Sequence, residues 1–139
     1  MQNSPENKDV ISKDIDELAK NINLPVRPAE AVWQKKTLGN AESRVPGPTD
    51  YLLVAVLKYD DADIEKVTGQ STEKTVKSVG EIQDWFPEDL KSLAQDFDNE
   101  KLLSGEKYDA KSFARAPYLN GTLLRVNGSN YFVLTLFSM

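Results

Sequence analysis

Apolar residues near the start of the chain recur at a helical interval: Ile11, Ile15, Leu18 and Ile22 fall at i, i+4, i+7 and i+11. That spacing puts them on one stripe, so a helix is predicted from Asp9 onward. Ser4 before Pro5 offers an N-cap and a first-turn proline. The helix stops by Leu24, because the residue before Pro25 is pushed out of the helical region. The period then shortens to two. Residues 31–37 read as an edge strand, with Val32 and Gln34 on one face and Trp33 and Lys35 on the other. A polar loop follows and ends in Pro46-Gly47-Pro48, a rigid bend closed by Thr49 and Asp50 bonding to local backbone. Residues 51–58, YLLVAVLK, are apolar on both faces, which predicts a central strand covered on both sides.

The acids after it have a plain structural role. Asp60 or Asp61 caps a short helix, Asp63 and Glu65 favour its positive end, Ile64 and Val67 face inward, and Gly69 ends it. Residues 74–79 read as a weak edge strand and 81–85 as a turn. From Pro87, the stripe Leu90, Leu93, Ala94 and Phe97 predicts a second main helix. A loop over 98–107 and a helical turn over 109–114 lead to a C-terminal hairpin. Asn127-Gly128 marks its turn. Leu123, Arg125, Phe132, Leu134 and Leu136 then share one face; Leu124, Val126, Tyr131, Val133, Thr135 and Phe137 share the other. The second apolar face needs a helix, a ligand or a second copy of the chain to cover it, so a homodimer is one expectation. The whole reads as an α+β fold: a mostly antiparallel sheet of about four to five strands with two main helices. It forms a single domain over residues 9–139, behind a flexible polar tail at 1–8.

Composition narrows the chemistry. The chain of 139 residues has no cysteine and no histidine, which excludes thiolate catalysis, disulfides, Cys/His zinc sites and a Ser-His-Asp triad. The commonest general base is missing with them, so the expected function is not enzymatic and needs no cofactor or metal. A net charge of −5 with scattered Lys and Arg argues against nucleic-acid binding. No apolar run approaches the roughly 18 residues that span a bilayer. No signal-peptide pattern is present, and residues 1–7 read as a polar tether.

Motifs with chemical meaning fail on spacing. Asp61-x-Asp63-x-Glu65 begins like a calcium loop, but Lys66 stands where glycine is required and Thr72 where glutamate is. Asp96-x-Asp98-x-Glu100 fails the same way at Lys101 and reads as the charged end of a helix. No glycine-rich phosphate loop is present. Asn120 and Asn127 match the glycosylation pattern, which turn chemistry explains. Trp85-Phe86 before Pro87 is either a hydrophobic staple or an aromatic partner patch. Arg115, Tyr118 and Arg125 are candidates for a polar-aromatic pocket. Arg44 and Asp50 are candidates to pair across the Pro-Gly-Pro bend, beside Tyr51. The candidate binding set is therefore Arg44, Asp50, Tyr51, Trp85, Phe86, Arg115, Tyr118 and Arg125.

The segments VPGPTDYLLVAVL, WFPEDL, Tyr108-Asp109-Ala110 with Phe113, RAPYLNGTL and YFVLTLF, in this order, resemble a family of small bacterial exported proteins of no assigned function, many of them predicted lipoproteins. The resemblance covers about residues 24–139. It implies an envelope or periplasmic location and a tether within residues 1–23; a cytoplasmic location is the alternative. The chain departs from a lipoprotein precursor in having no leader and no acylated cysteine. The membrane would then be met only through a lipid tether. The family carries over no catalytic residue. The expected function is a non-catalytic binding module for a protein or small ligand. An acidic inhibitor or immunity-type protein against a basic enzyme or toxin is the second reading. A carboxylate-based hydrolase is the third.

Overall fold

The two most apolar segments form the centre of one sheet. YLLVAVLK is β3 (Tyr51–Lys58) and YFVLTLF is β8 (Tyr131–Phe137), and they pair antiparallel from Leu52 opposite Phe137 to Lys58 opposite Tyr131. The computed structural model describes residues 11–37, 51–69, 76–116 and 118–138. Around this pair lie β1 (Ile11–Ser12), β2 (Glu30–Thr37), β4 (Val76–Glu81), β5 (Gln95–Phe97), β6 (Glu100–Asp109) and β7 (Asn120–Val126). The order is β1-β2-β3-β8-β7-β6-β4, with every pairing antiparallel. Leu102 is paired with Glu81 and also with Gln95. A residue has one partner on each side, so β5 occupies the start of the β6 edge that β7 occupies further along. Three short helices complete the described residues: α1 (Ile15–Asn21), α2 (Asp61–Thr68) and α3 (Glu88–Lys91), with a 3-10 turn at Lys111–Phe113.

This overturns the expected α+β fold of four to five strands and two main helices. Among the described residues the protein is a mostly antiparallel sheet of eight strands with three short helices. Three local effects account for the difference. The predicted first helix begins only at Ile15, because Asp14 caps it: its carboxylate accepts from the Glu17 N–H at 3.0 Å. Ile11 is instead on β1, and it packs on the opposite face of the sheet from Leu18. The expected tail at 1–8 and the Ser4 cap lie outside the described residues. The predicted helix from Pro87 ends after one turn at Lys91, and Gln95 to Phe97 turn to a strand. The supposed loop over 98–107 is most of β6. Asp98 and Asn99 join the two strands with φ of 45° and 74°, the positive-φ pair of a two-residue hairpin turn. Asp and Asn tolerate this region without a glycine, so the sequence carries no strong turn signal.

Side chains alternate across the sheet, and each face has its own core. The first holds Leu53, Ala55 and Leu57 of β3 with Phe132, Leu134 and Leu136 of β8. It is covered by Leu18 of α1, Ile22, Ile64 and Val67 of α2, and Phe113. The second holds Val56, Val133, Leu124 and Val126, covered by Phe86, Leu90 and the half-buried Ile82, Trp85 and Leu93. The two hairpin faces read from the sequence are the two cores seen here. The second face is covered by residues 82–94 of the same chain. Gly121 lets β7 approach β8 closely: a Cβ there would lie 2.0 Å from the Thr135 carbonyl oxygen.

Candidate functional site

Register brings three side chains of distant sequence into one row. Glu30 of β2 lies opposite Lys58 of β3, and Lys58 lies opposite Tyr131 of β8. Directly opposed residues share a face, here the second one. Residues 85–87 pass over this end of the sheet. Between them and the row lies an open cavity of about 440 Å³. Val32, Val56 and Pro87 line it with the rings of Trp85 and Tyr131. Lys13 and Ile15, where the chain leaves β1 for α1, complete its outer side with Ala29 and Ala31.

Tyr131 fixes one wall. Its hydroxyl donates to the Asp89 carboxylate, 2.8 Å from either oxygen, and so ties α3 to β8. Burial pushes the Tyr131 phenol up, the bond to Asp89 and the charges of Asp89 and Glu30 push it further, and it reaches about 12. Tyr131 is therefore neutral and donating at neutral pH. Lys58 places its ammonium 5.5 Å from the centre of the Tyr131 ring, a cation–π contact. Neither Lys58 nor the exposed Lys13 has an ion-pair partner among the described residues. In a chain of net charge −5, the described residues that line this cavity carry two lysines and one glutamate, with the Asp89 carboxylate behind Tyr131.

Trp85 is the other wall. Its ring meets Phe86 edge-on, with centroids 4.8 Å apart and planes at 80°. Its indole N–H is sealed from solvent and bonds to nothing, the one such side-chain atom among the described residues. An orphaned buried donor costs about 1–3 kcal/mol. Packing of the ring into the second core holds it there.

The residues singled out from the sequence fall in several places. Trp85 and Phe86 belong to the second core. Tyr118 is buried in the first, where Tyr51 meets it edge-on at 6.4 Å. Burial, then the neighbouring Tyr51, pushes the Tyr118 phenol up. Arg115 is exposed: its backbone bridges to Tyr118, and its guanidinium donates to the Ala19 carbonyl at 3.2 Å. Arg125 is half-buried on β7, between Glu106 of β6 and Phe132 of β8. Its charge acts on Tyr108, whose phenol is nonetheless pushed up, by burial first and then by Glu106. Arg44 and Asp50 lie outside the described residues. The fold thus gathers Tyr51, Arg115 and Tyr118, and places Trp85-Phe86 across the sheet from Tyr118.

Of the cavity residues, only Trp85 was singled out from the sequence. Lys13, Glu30, Lys58 and Tyr131 were not, nor was Asp89, which holds Tyr131. A charged residue ending an apolar strand, as Lys58 does, is the signal that was present. The acids of residues 61–65 sit on α2, and no cluster of three or more His, Cys, Asp or Glu among the described residues is placed to hold a metal. No helix among them is long and apolar enough to cross a membrane. Comparison with protein-family models, with curated proteins and with solved structures found no match to this chain.

Proposed function

We propose that this protein is a non-catalytic binding module whose ligand enters the cleft between residues 85–87 and the row Glu30, Lys58 and Tyr131. One observation carries the reading. A cavity of about 440 Å³ opens on the second face, and a wall residue, Trp85, holds a buried donor with no partner among the described residues. Apolar and aromatic walls with a few polar groups at the rim are the usual make-up of a small-molecule site. The absence of His and Cys from the chain favours binding over catalysis. A location in the bacterial envelope belongs to the same proposal and rests on the sequence resemblance alone.

A ligand-observed NMR screen of small aromatic molecules tests it. Ala29→Trp fills the cleft from an exposed position, leaving the backbone bond from Ala29 to the Lys58 carbonyl intact. Hits on the wild type should disappear in this variant. Hits that survive it unchanged place the binding surface elsewhere and reject the cleft.

A further inference from the structure

We infer that the cleft takes a small organic anion, a carboxylate carried on a flat apolar body. This rests on the binding reading above and names its ligand class. The size fits: about 440 Å³ lies within the range of roughly 300–1,000 Å³ that holds small molecules. The shape fits too, because two aromatic rings, Trp85 and Tyr131, border the space beside Pro87, Val32 and Val56. Such walls receive a planar body better than a branched polar one.

Charge decides the head group. Lys13 and Lys58 both line the cleft and neither is spent on an ion pair among the described residues. Asp89 is not among the residues that line the space: it stands behind Tyr131, accepting its hydroxyl at 2.8 Å on both oxygens. Among the described residues Glu30 is the one acid that lines the space, and Lys58 faces it across the strands. Its presence disfavours a multiply charged head such as a polyphosphate, leaving a single negative charge as the best complement. Trp85 supplies a further donor if its ring turns. The indole N–H is shut from solvent in this arrangement, and a small rotation that gives it an acceptor removes the cost of leaving it unpaired.

The test compares three probes of one shape: 4-phenylbutyrate, its neutral amide and the corresponding amine. Each is titrated into the wild-type protein while the Trp85 indole N–H and the Val32 and Val56 methyl resonances are followed by NMR. The carboxylate should shift all three and bind about tenfold or more tightly than the amide, the worth of one charge-assisted contact. Lys13→Glu, at an exposed site, should lower the carboxylate's affinity about two- to fivefold and leave the amide's unchanged. If the amine or the amide binds as well as the carboxylate, the anion class is wrong and the cleft stands. If none of the three moves these resonances, the cleft falls and the anion inference with it.

Discussion

The two tryptophans show how differently the two faces of the sheet are finished. Trp33 of β2 is packed in the first core, and its indole N–H donates to the Asp14 carbonyl at 3.1 Å. Trp85 covers the second face, and its indole N–H has no partner. The first face is closed in the same manner elsewhere. Tyr59, fully buried there, donates its hydroxyl to the Val26 carbonyl at 2.9 Å. The second face is covered by one irregular segment with a single-turn helix, and a cavity remains under it. On the first face the buried Trp33 and Tyr59 donors are both paired. A face with an orphaned donor beside a cavity has packing in reserve, and that is where a ligand gains most.

Substitutions can break this contrast, and the largest effects belong to the first face and to the strand contact beneath it. Gly121→Ala drives a Cβ to 2.0 Å from the Thr135 oxygen and 2.9 Å from the Leu136 Cα. Backbone must shift, and a loss of about 3 kcal/mol or more is expected in denaturant unfolding. Leu134→Ala, at a site with no exposure in the first core, should cost about 2–5 kcal/mol by the same measurement. If Leu134→Ala costs under about 1 kcal/mol, the first face is not the closed core described.

The tryptophans sharpen the comparison at smaller magnitude. Trp33→Phe removes a paired donor and should cost about 1–2 kcal/mol. Trp85→Phe removes an unpaired one, so the relief of the orphan offsets the lost apolar area. Its net change should stay within about 0.5 kcal/mol. Equal costs at the two positions would mean that the second face is as complete as the first.

The smallest effect appears only in alkali. Tyr131 has a phenol pushed up to about 12 in the folded protein, against 10.0 ordinarily. The folded state therefore keeps this proton where the unfolded state loses it. The contribution is fully present below pH 10 and is lost as pH rises from 10 toward about 12. Tyr59, on the first face, is pushed up in the same direction, by burial and then by Asp63. Stability measured across this window should fall, and Tyr131→Phe should flatten the fall only in part, because Tyr59, Tyr108 and Tyr118 remain, all pushed up in the same direction. A slope unchanged by Tyr131→Phe would separate the Tyr131–Asp89 bond from stability.

Strands whose apolar character is local were legible in the sequence. β3, β8, their face assignments and the short helix after Asp60 follow from alternation, from the Asn127-Gly128 turn and from acids at a helix start. The short elements were not, because their identity is decided by pairing. Ile11 sits at a helical interval from Ile15 but gains more as a partner opposite Gln34. Residues 95–97 continue a helical stripe but close a hairpin on residues 100–102. Half the site was hidden for the same reason. Trp85 stands out by type. Glu30, Lys58 and Tyr131 are ordinary residues at strand ends, and only the register of β2, β3 and β8 puts them side by side.

The claim that the two faces differ in reserve space is tested most directly by a neutral aromatic probe that has no charge to steer it. Indole is titrated into the methyl-labelled protein, and the methyl resonances of both cores are followed together. The account predicts shifts at Val32 and Val56 and none at Leu53, Leu57 and Leu134. Shifts confined to the first core, or spread equally over both, would contradict it.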